Sequence, residues 1–302
     1  MASASAPASA PPLASLADPL DAELARQGPF GFVWRNPTLV LGIVMLIVIA
    51  TLAIAAPVLA PYDPQDIDPA TRLEPSSLNH YFGTDALGRD VLSRALWGGR
   101  VSLIVGLSVA LLATVGGIFL GLLAGFVRLA DEPVMRVMDG LMAIPGVLLA
   151  IALMAVTRAS LLTVIIAITV PEVPRMVRLV RSLALTLREQ LFVEAARAVG
   201  TRLPTILWRH VLPNMLAPLL VQATFVAASA VLIEAALSFL GVGIPTETPS
   251  WGNMMAEGRN YVAVAFHIIV YPGLLLAATV LAINMVGDGL RDALDPRLAR
   301  QL

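Results

Sequence analysis

Long apolar runs without a single charge constrain this chain more than any other feature. No ionisable side chain of Asp, Glu or Arg falls between Asn36 and Tyr62, between Val101 and Val127, or between Gly140 and Thr157. A helix needs roughly 20 apolar residues to cross a bilayer, where its backbone must satisfy its own hydrogen bonds. Only 14% of the residues are charged and 58% are hydrophobic, against about 25% charged in a soluble domain. The chain therefore reads as an all-α polytopic membrane protein.

Six spans are expected. The first covers 38–60 and the second follows Val101. The third covers Gly140–Thr157, with a start nearer Pro133. The fourth begins at Ala159 and continues through Glu172 and Pro174. The fifth runs from Val211 past Glu234 to about Leu240, and the sixth lies within Tyr261–Gly287. Ahead of them, residues 1–23 are rich in Ala, Ser and Pro and read as a disordered tail. Phe30, Phe32 and Trp34 suit the membrane interface.

Arginine placement orients the spans. With both termini inside, fourteen arginines fall on inside segments and six on outside ones, and seven of the fourteen lie between 172 and 210. The positive-inside rule thus favours N-in, C-in and a cytoplasmic 172–210 segment. The resulting division is an N-terminal tail over 1–37, the first span over 38–60, and an extracytoplasmic segment over 61–99. The five later spans follow over 100–290, and a cytoplasmic tail over 291–302.

Several chemistries are excluded. A net charge of −1 gives no basic surface for nucleic acid. There is no cysteine, and His80, His210 and His267 are too scattered to form a ligand cluster. Every basic residue is arginine. A phosphate-binding P-loop requires a lysine, so the chain cannot hydrolyse ATP by that route. No zinc-protease or nucleophile-elbow motif supports a membrane enzyme.

Two connecting segments carry more information than the spans. Glu194-Ala195-Ala196-Arg197-Ala198-Val199 is helix-forming, with Glu194 and Arg197 spaced to pair. Gly200 fits a left-handed C-cap, and Pro204 fits only the first turn of a second helix. Pro213 then opens the fifth span. Helix, glycine turn, short helix, membrane: over about 188–214 this order describes a compact knob, with Ala195 and Ala196 keeping its surface small. On the outer side, Asp85–Trp97 has Leu87, Val91 and Ala95 at helical spacing, which predicts a short interfacial amphipathic helix. Asp85 and Arg89 are placed to pair within it. Ala113, Gly117, Gly121 and Gly125 recur every fourth residue and permit close helix packing. Glu234 and Asn284, polar within spans, are candidates for a translocation pathway. His267 reads as a satisfied packing residue.

The segment EAARAVG, with RHVLPN after it, resembles the EAA motif of type I ABC-importer permeases of the MetI-like fold. The stretches GTDALGRDVLSR (83–94), ALSFLGVG (236–243) and PSWGNM (249–254), and the tail GDGLRDALDPR (287–297), resemble the DppC/OppC branch of dipeptide, oligopeptide and nickel permeases. The resemblance covers about residues 35–298. It implies a bacterial inner-membrane subunit paired with a sister permease, one or two ABC ATPase subunits that bind ATP and Mg, and an extracytoplasmic substrate-binding protein. No cofactor is expected in this chain itself. Glu194, Ala195, Ala196, Arg197, Gly200 and Pro204 would carry ATPase coupling. Asp85, Arg89, Asp90, Trp251 and Asn253 are candidates for the outer face. Di- or oligopeptides are the implied cargo, with glutathione, nickel complexes or another small solute as alternatives. A stand-alone secondary transporter is the competing class, and it calls for broken helices or coupling carboxylates near the midplane.

Overall fold

The structure is a computed structural model and describes residues 36–294. The expected tail at 1–23, the aromatic residues Phe30, Phe32 and Trp34, and Asp295, Pro296 and Arg297 of the C-terminal motif lie outside the described residues. Helices α1 (Pro37–Ile54), α2 (Ala56–Leu59), α3 (Val91–Phe126), α4 (Arg128–Met142), α5 (Gly146–Val156) and α6 (Leu161–Arg188) come first. They are followed by α7 (Leu191–Ala198), α8 (Leu203–Ile206), α9 (Leu212–Phe239), α10 (Trp251–Gly258) and α11 (His267–Leu294). Among the described residues the only extended pairing is one isolated bridge between Thr84 and Asp90.

Four continuous helical stretches are long and apolar enough to cross a membrane: Pro37–Ile54, Val91–Phe126, Leu203–Phe239 and His267–Asp292. The expected third span is not one straight helix. α4 and α5 meet at 89°, and α5, with 11 residues, is only about 16 Å long. Pro145 at the N-cap of α5 explains the break, because proline forces the residue before it out of helical geometry. The fourth expected span is a single helix of 28 residues with Pro171 and Pro174 inside it. Its polar half includes Glu172, Arg175 and Arg178, so α6 leaves the apolar class by charge rather than by length.

α3 is the axis of the bundle. Its 36 residues extend about 54 Å. Asp90 caps its N-terminus by accepting from the Ser93 backbone N–H at 2.7 Å and the Ser93 hydroxyl at 2.8 Å. The predicted interfacial helix from Asp85 does not form. Residues 84–90 make a tight turn, and helix begins only at Val91. The reason is Gly88, whose φ is +81° and whose absent Cβ would lie 1.8 Å from the Asp68 carbonyl oxygen. Such a backbone cannot continue into a right-handed helix.

The small-residue stripe on α3 faces α6. Added Cβ atoms on Gly117, Gly121 and Gly125 would meet Met176, Val180 and Ala184 at 2.2, 2.5 and 2.6 Å. The stripe lets the two helices approach until side chains of one rest on backbone of the other. α1 docks likewise on α11 through Gly42 against Met285, and α6 is started by a Ser160–Thr163 capping box.

Candidate functional site

α3 separates two chemically different ends. At its C-terminal end lies the knob. α7 ends in a Schellman turn: the Gly200 N–H donates to the Arg197 carbonyl at 2.9 Å and the Thr201 N–H to the Ala196 carbonyl at 3.0 Å. Gly200 has φ +76°, the left-handed conformation expected of it. Pro204 occupies the first turn of α8. A π-helical turn over Leu207–Val211 joins α8 to α9, so the knob continues into the bundle without a loop. Val193, Ala196, Ile206 and Val211 face inward and are buried.

Most of the other knob side chains face out. Glu194, Ala195, Arg197, Gly200 and Pro204 are exposed, while Val199 and Trp208 expose 82% and 76% of their surface. Pro204, Thr205, Trp208, Arg209 and Pro213 border an open groove of about 600 Å³. The expected Glu194–Arg197 pair does not form. The Arg197 guanidinium instead sits 6.0 Å from the Phe126 ring at the end of α3. Arg188 donates to the Gly125 carbonyl at 3.1 Å, closing the same helix end.

The opposite end is a cap built from residues 62–90 and α10. Asp85 accepts from the backbone N–H groups of Leu87 and Arg89 at 2.8 and 3.0 Å, from Arg89 Nε at 2.7 Å, and from Arg94. Both arginines reach on to Glu257: Arg89 Nη2 at 2.6 Å and Arg94 Nη1 at 2.8 Å. Arg94 is only 1% exposed. Such a network is stable only because each buried charge has an opposite one beside it. Glu257 was not singled out from the sequence, although it is the lone acidic residue between Glu247 and Asp288.

Burial revises the outer-face candidates. Asp85, Arg89, Asp90, Trp251 and Asn253 are all buried. Trp251 lies over Gly98 and Gly99 and donates its indole N–H to the Ala95 carbonyl at 2.9 Å. Asn253 Nδ2 donates to the carbonyls of Ile244, Pro245 and Thr248 at 3.1–3.3 Å. Asp90 accepts from α3 and lies 3.0 Å from His80 Nδ1. These five side chains build the cap and present little surface. His267 is satisfied by the Thr84 carbonyl at 3.0 Å, as a packing residue should be.

The pathway candidates separate. Glu234 is fully buried, and its two oxygens accept from the Ser102 hydroxyl at 3.1 Å and the Ser238 hydroxyl at 2.9 Å. It ties α9 to α3 and lines no open space. Asn284 is half-buried on α11. Glu172, which the expected fourth span runs through, lies in mid-helix on α6, accepting from Ser229 of α9 at 3.1 Å. Among the described residues, no three His, Asp or Glu side chains are grouped to hold a metal ion.

Comparison with known proteins agrees with this architecture. The family described as "Binding-protein-dependent transport system inner membrane component" matches residues 117–300. The one described as "N-terminal TM domain of oligopeptide transport permease C" matches residues 33–75. A probable peptide ABC transporter permease of Sinorhizobium fredii is 51% identical, over 88% of this chain and 91% of its own. The di/tripeptide transport system permease of Pseudomonas aeruginosa is 41% identical, over 92% and 95%. The inward-facing MetNI methionine ABC transporter shares the fold at a TM-score of 0.54 and 22% identity, covering 68% of this chain and 94% of that one. With a family match over more than half its length and such relatives across nearly all of it, the chain belongs to the inner membrane components of binding-protein-dependent transport systems.

Proposed function

We propose that this chain is one permease subunit of an ABC importer for di- or oligopeptides, driven by separate ATPase subunits through the knob at 188–214. One observation carries the coupling: the exposed second half of the knob, from Leu203, is the start of a 37-residue helix that crosses the bundle. A push on the knob is then a push on α9. Glu194, Ala195, Arg197, Gly200 and Pro204 form the contact surface, and Ala196 supports it from beneath. Arg188, Arg197, Arg202 and Arg209 on the knob itself support a cytoplasmic knob with both termini inside. The six crossings are α1, α3, the bent α4–α5 pair, α6, α8–α9 and α11. ATP and Mg belong to the ATPase, and a sister permease and an extracytoplasmic binding protein complete the importer.

The peptide cargo is carried over from the names of the relatives. A glutathione permease of Pectobacterium atrosepticum at 40% identity makes glutathione, itself a tripeptide derivative, the nearest alternative. The break between α4 and α5 and the Glu172 carboxylate within α6 are features a secondary transporter would also show, but the membership of the family supports an ATP-driven reading.

The test is co-purification and uptake. Gly200→Pro cannot adopt φ +76°, and Glu194→Arg reverses the knob's charge. Both variants should insert in the membrane normally, lose the bound ATPase in detergent and import no peptide. Retained ATPase and normal uptake would overturn the coupling role.

A further inference from the structure

Six arginine–carboxylate pairs among the described residues hold a donor within 2.7 Å of its acceptor: Arg89–Asp85, Arg89–Glu257, Arg94–Asp85, Arg136–Glu132, Arg178–Asp139 and Arg181–Asp131. The pair between Arg175 and Glu172 is different. Its two contacts are 3.3 and 3.4 Å, beyond the roughly 2.7–2.9 Å of a charge-assisted bond. The Glu172 side chain is 4% exposed while that of Arg175 is 58% exposed. A buried carboxylate is costly unless strongly paired. Glu172 has one good hydrogen bond, from Ser229, and a loosely held cation.

Its depth is informative. Leu161–Pro171 precedes Glu172 on α6, and Ala230–Phe239 separates Ser229 from the cap end of α9. At 1.5 Å per residue each stretch is about 15–16 Å, half of a ~30 Å hydrocarbon core. Two helices therefore bring their polar groups to the same level, near the midplane. Gln222, half-buried two turns from Ser229 on α9, extends the polar line. One to three turns on from Glu172, Met176, Val180 and Ala184 pack against α3, while the Arg175 side chain is 58% exposed.

We infer that Glu172 and Arg175, with Ser229, form a mid-bilayer site for the charged ends of a small peptide. The inference rests on the importer reading above. A zwitterion suits this pair because it exchanges one set of opposite charges for another. The peptide ammonium takes the place of the guanidinium at Glu172, and the freed guanidinium receives the peptide carboxylate. No charge is left uncompensated at any stage. The ends of an extended dipeptide are about 7 Å apart, a distance the long, exposed Arg175 side chain can open by rotating away from Glu172. The loose pair is a resting partner that the substrate can replace at small cost, unlike the tight pairs elsewhere.

The assembled transporter, with its binding protein and ATPases, can be irradiated with a dipeptide carrying a diazirine side chain, and the label mapped by mass spectrometry. Label is expected on residues 168–178 and 222–232 of this chain. Acetylating the peptide amine or amidating its carboxylate should each lower that label about tenfold, the worth of one charged hydrogen bond. Arg175→Gln, a change at an exposed position, should lower it as much for the free dipeptide and remove the difference between free and amidated peptide. Glu172→Gln should do the same for the amine, and the blocked peptides test that arm even if this variant does not fold. Arg178→Gln, one turn away and paired with Asp139, should leave the label unchanged. Equal labelling by free and blocked peptides, or no label on these two segments, overturns the site. Label elsewhere in the chain would still leave a peptide permease, whereas no label anywhere and no peptide uptake would remove the peptide reading together with this inference.

Discussion

The two ends of α3 treat similar residues in opposite ways. The cap and the knob each combine arginines and glutamates with a single tryptophan, Trp251 and Trp208. In the cap, Arg94 and Trp251 are each 1% exposed, and the buried charges Asp85, Arg89, Asp90 and Arg94 meet partners within the chain. On the knob, Trp208 is 76% exposed and Glu194 pairs with nothing among the described residues. A polar segment that completes its own hydrogen bonds contributes to folding. One that holds apolar and charged groups outward on a rigid frame is shaped for a second molecule.

The contrast can be broken most forcefully at the cap. Arg94→Leu would leave Asp85 and Glu257 short of a buried cation and should destabilise the chain by about 3–5 kcal/mol. Thermal melting in detergent and the level of protein in membranes would register it. If Arg94→Leu instead melted normally and lost only binding-protein contact, the cap would be a docking surface after all.

Trp208→Ala is the matching change on the knob. Folding stability should move by no more than about 0.5 kcal/mol, as for a surface residue. Capture of the ATPase should weaken by about 2 kcal/mol or more, as for an exposed aromatic anchor. Measuring melting and capture on both variants separates the two ends along two axes.

Gly200→Ala probes the frame of the knob rather than its surface. An added Cβ would meet nothing within 4 Å, so only the left-handed backbone resists it, by roughly 1–2 kcal/mol. Hydrogen exchange at Gly200 and Thr201 should rise while global melting holds. Asp131→Asn should have the smallest effect. The Asp131–Arg181 bonds of 2.5 and 2.7 Å brace α4 against α6, but both side chains are about 30% exposed, and such pairs contribute no more than ~1 kcal/mol. A larger loss would place this brace with the cap, as part of the folding frame.

The knob was legible because its signals are local. Gly200 and Pro204 dictate a turn and a helix start through their own backbone chemistry, and both appear where expected. The α3 stripe was legible as close packing, though its partner on α6 was not. The cap was misread for a physical reason. The spacing of Leu87, Val91 and Ala95 imitates an amphipathic helix, but Gly88 is held at positive φ by contact with Asp68, twenty residues earlier. The break before α5 was written in Pro145, yet the apolar run around it concealed a bend of 89°.

Apolar run lengths, the absence of lysine, and the order of turn and cap residues determine that this chain spans a membrane, lacks its own phosphate loop and carries a knob. These are properties of composition and of neighbours along the chain. Tertiary structure alone decided which carboxylates are sealed and which stay available. Arg89 and Arg94 find Glu257 across 168 and 163 residues, Glu234 finds Ser102 across 132, and Glu172 finds Ser229 across 57. The energy of a buried charge depends on what surrounds it in space, and no spacing along the sequence states that.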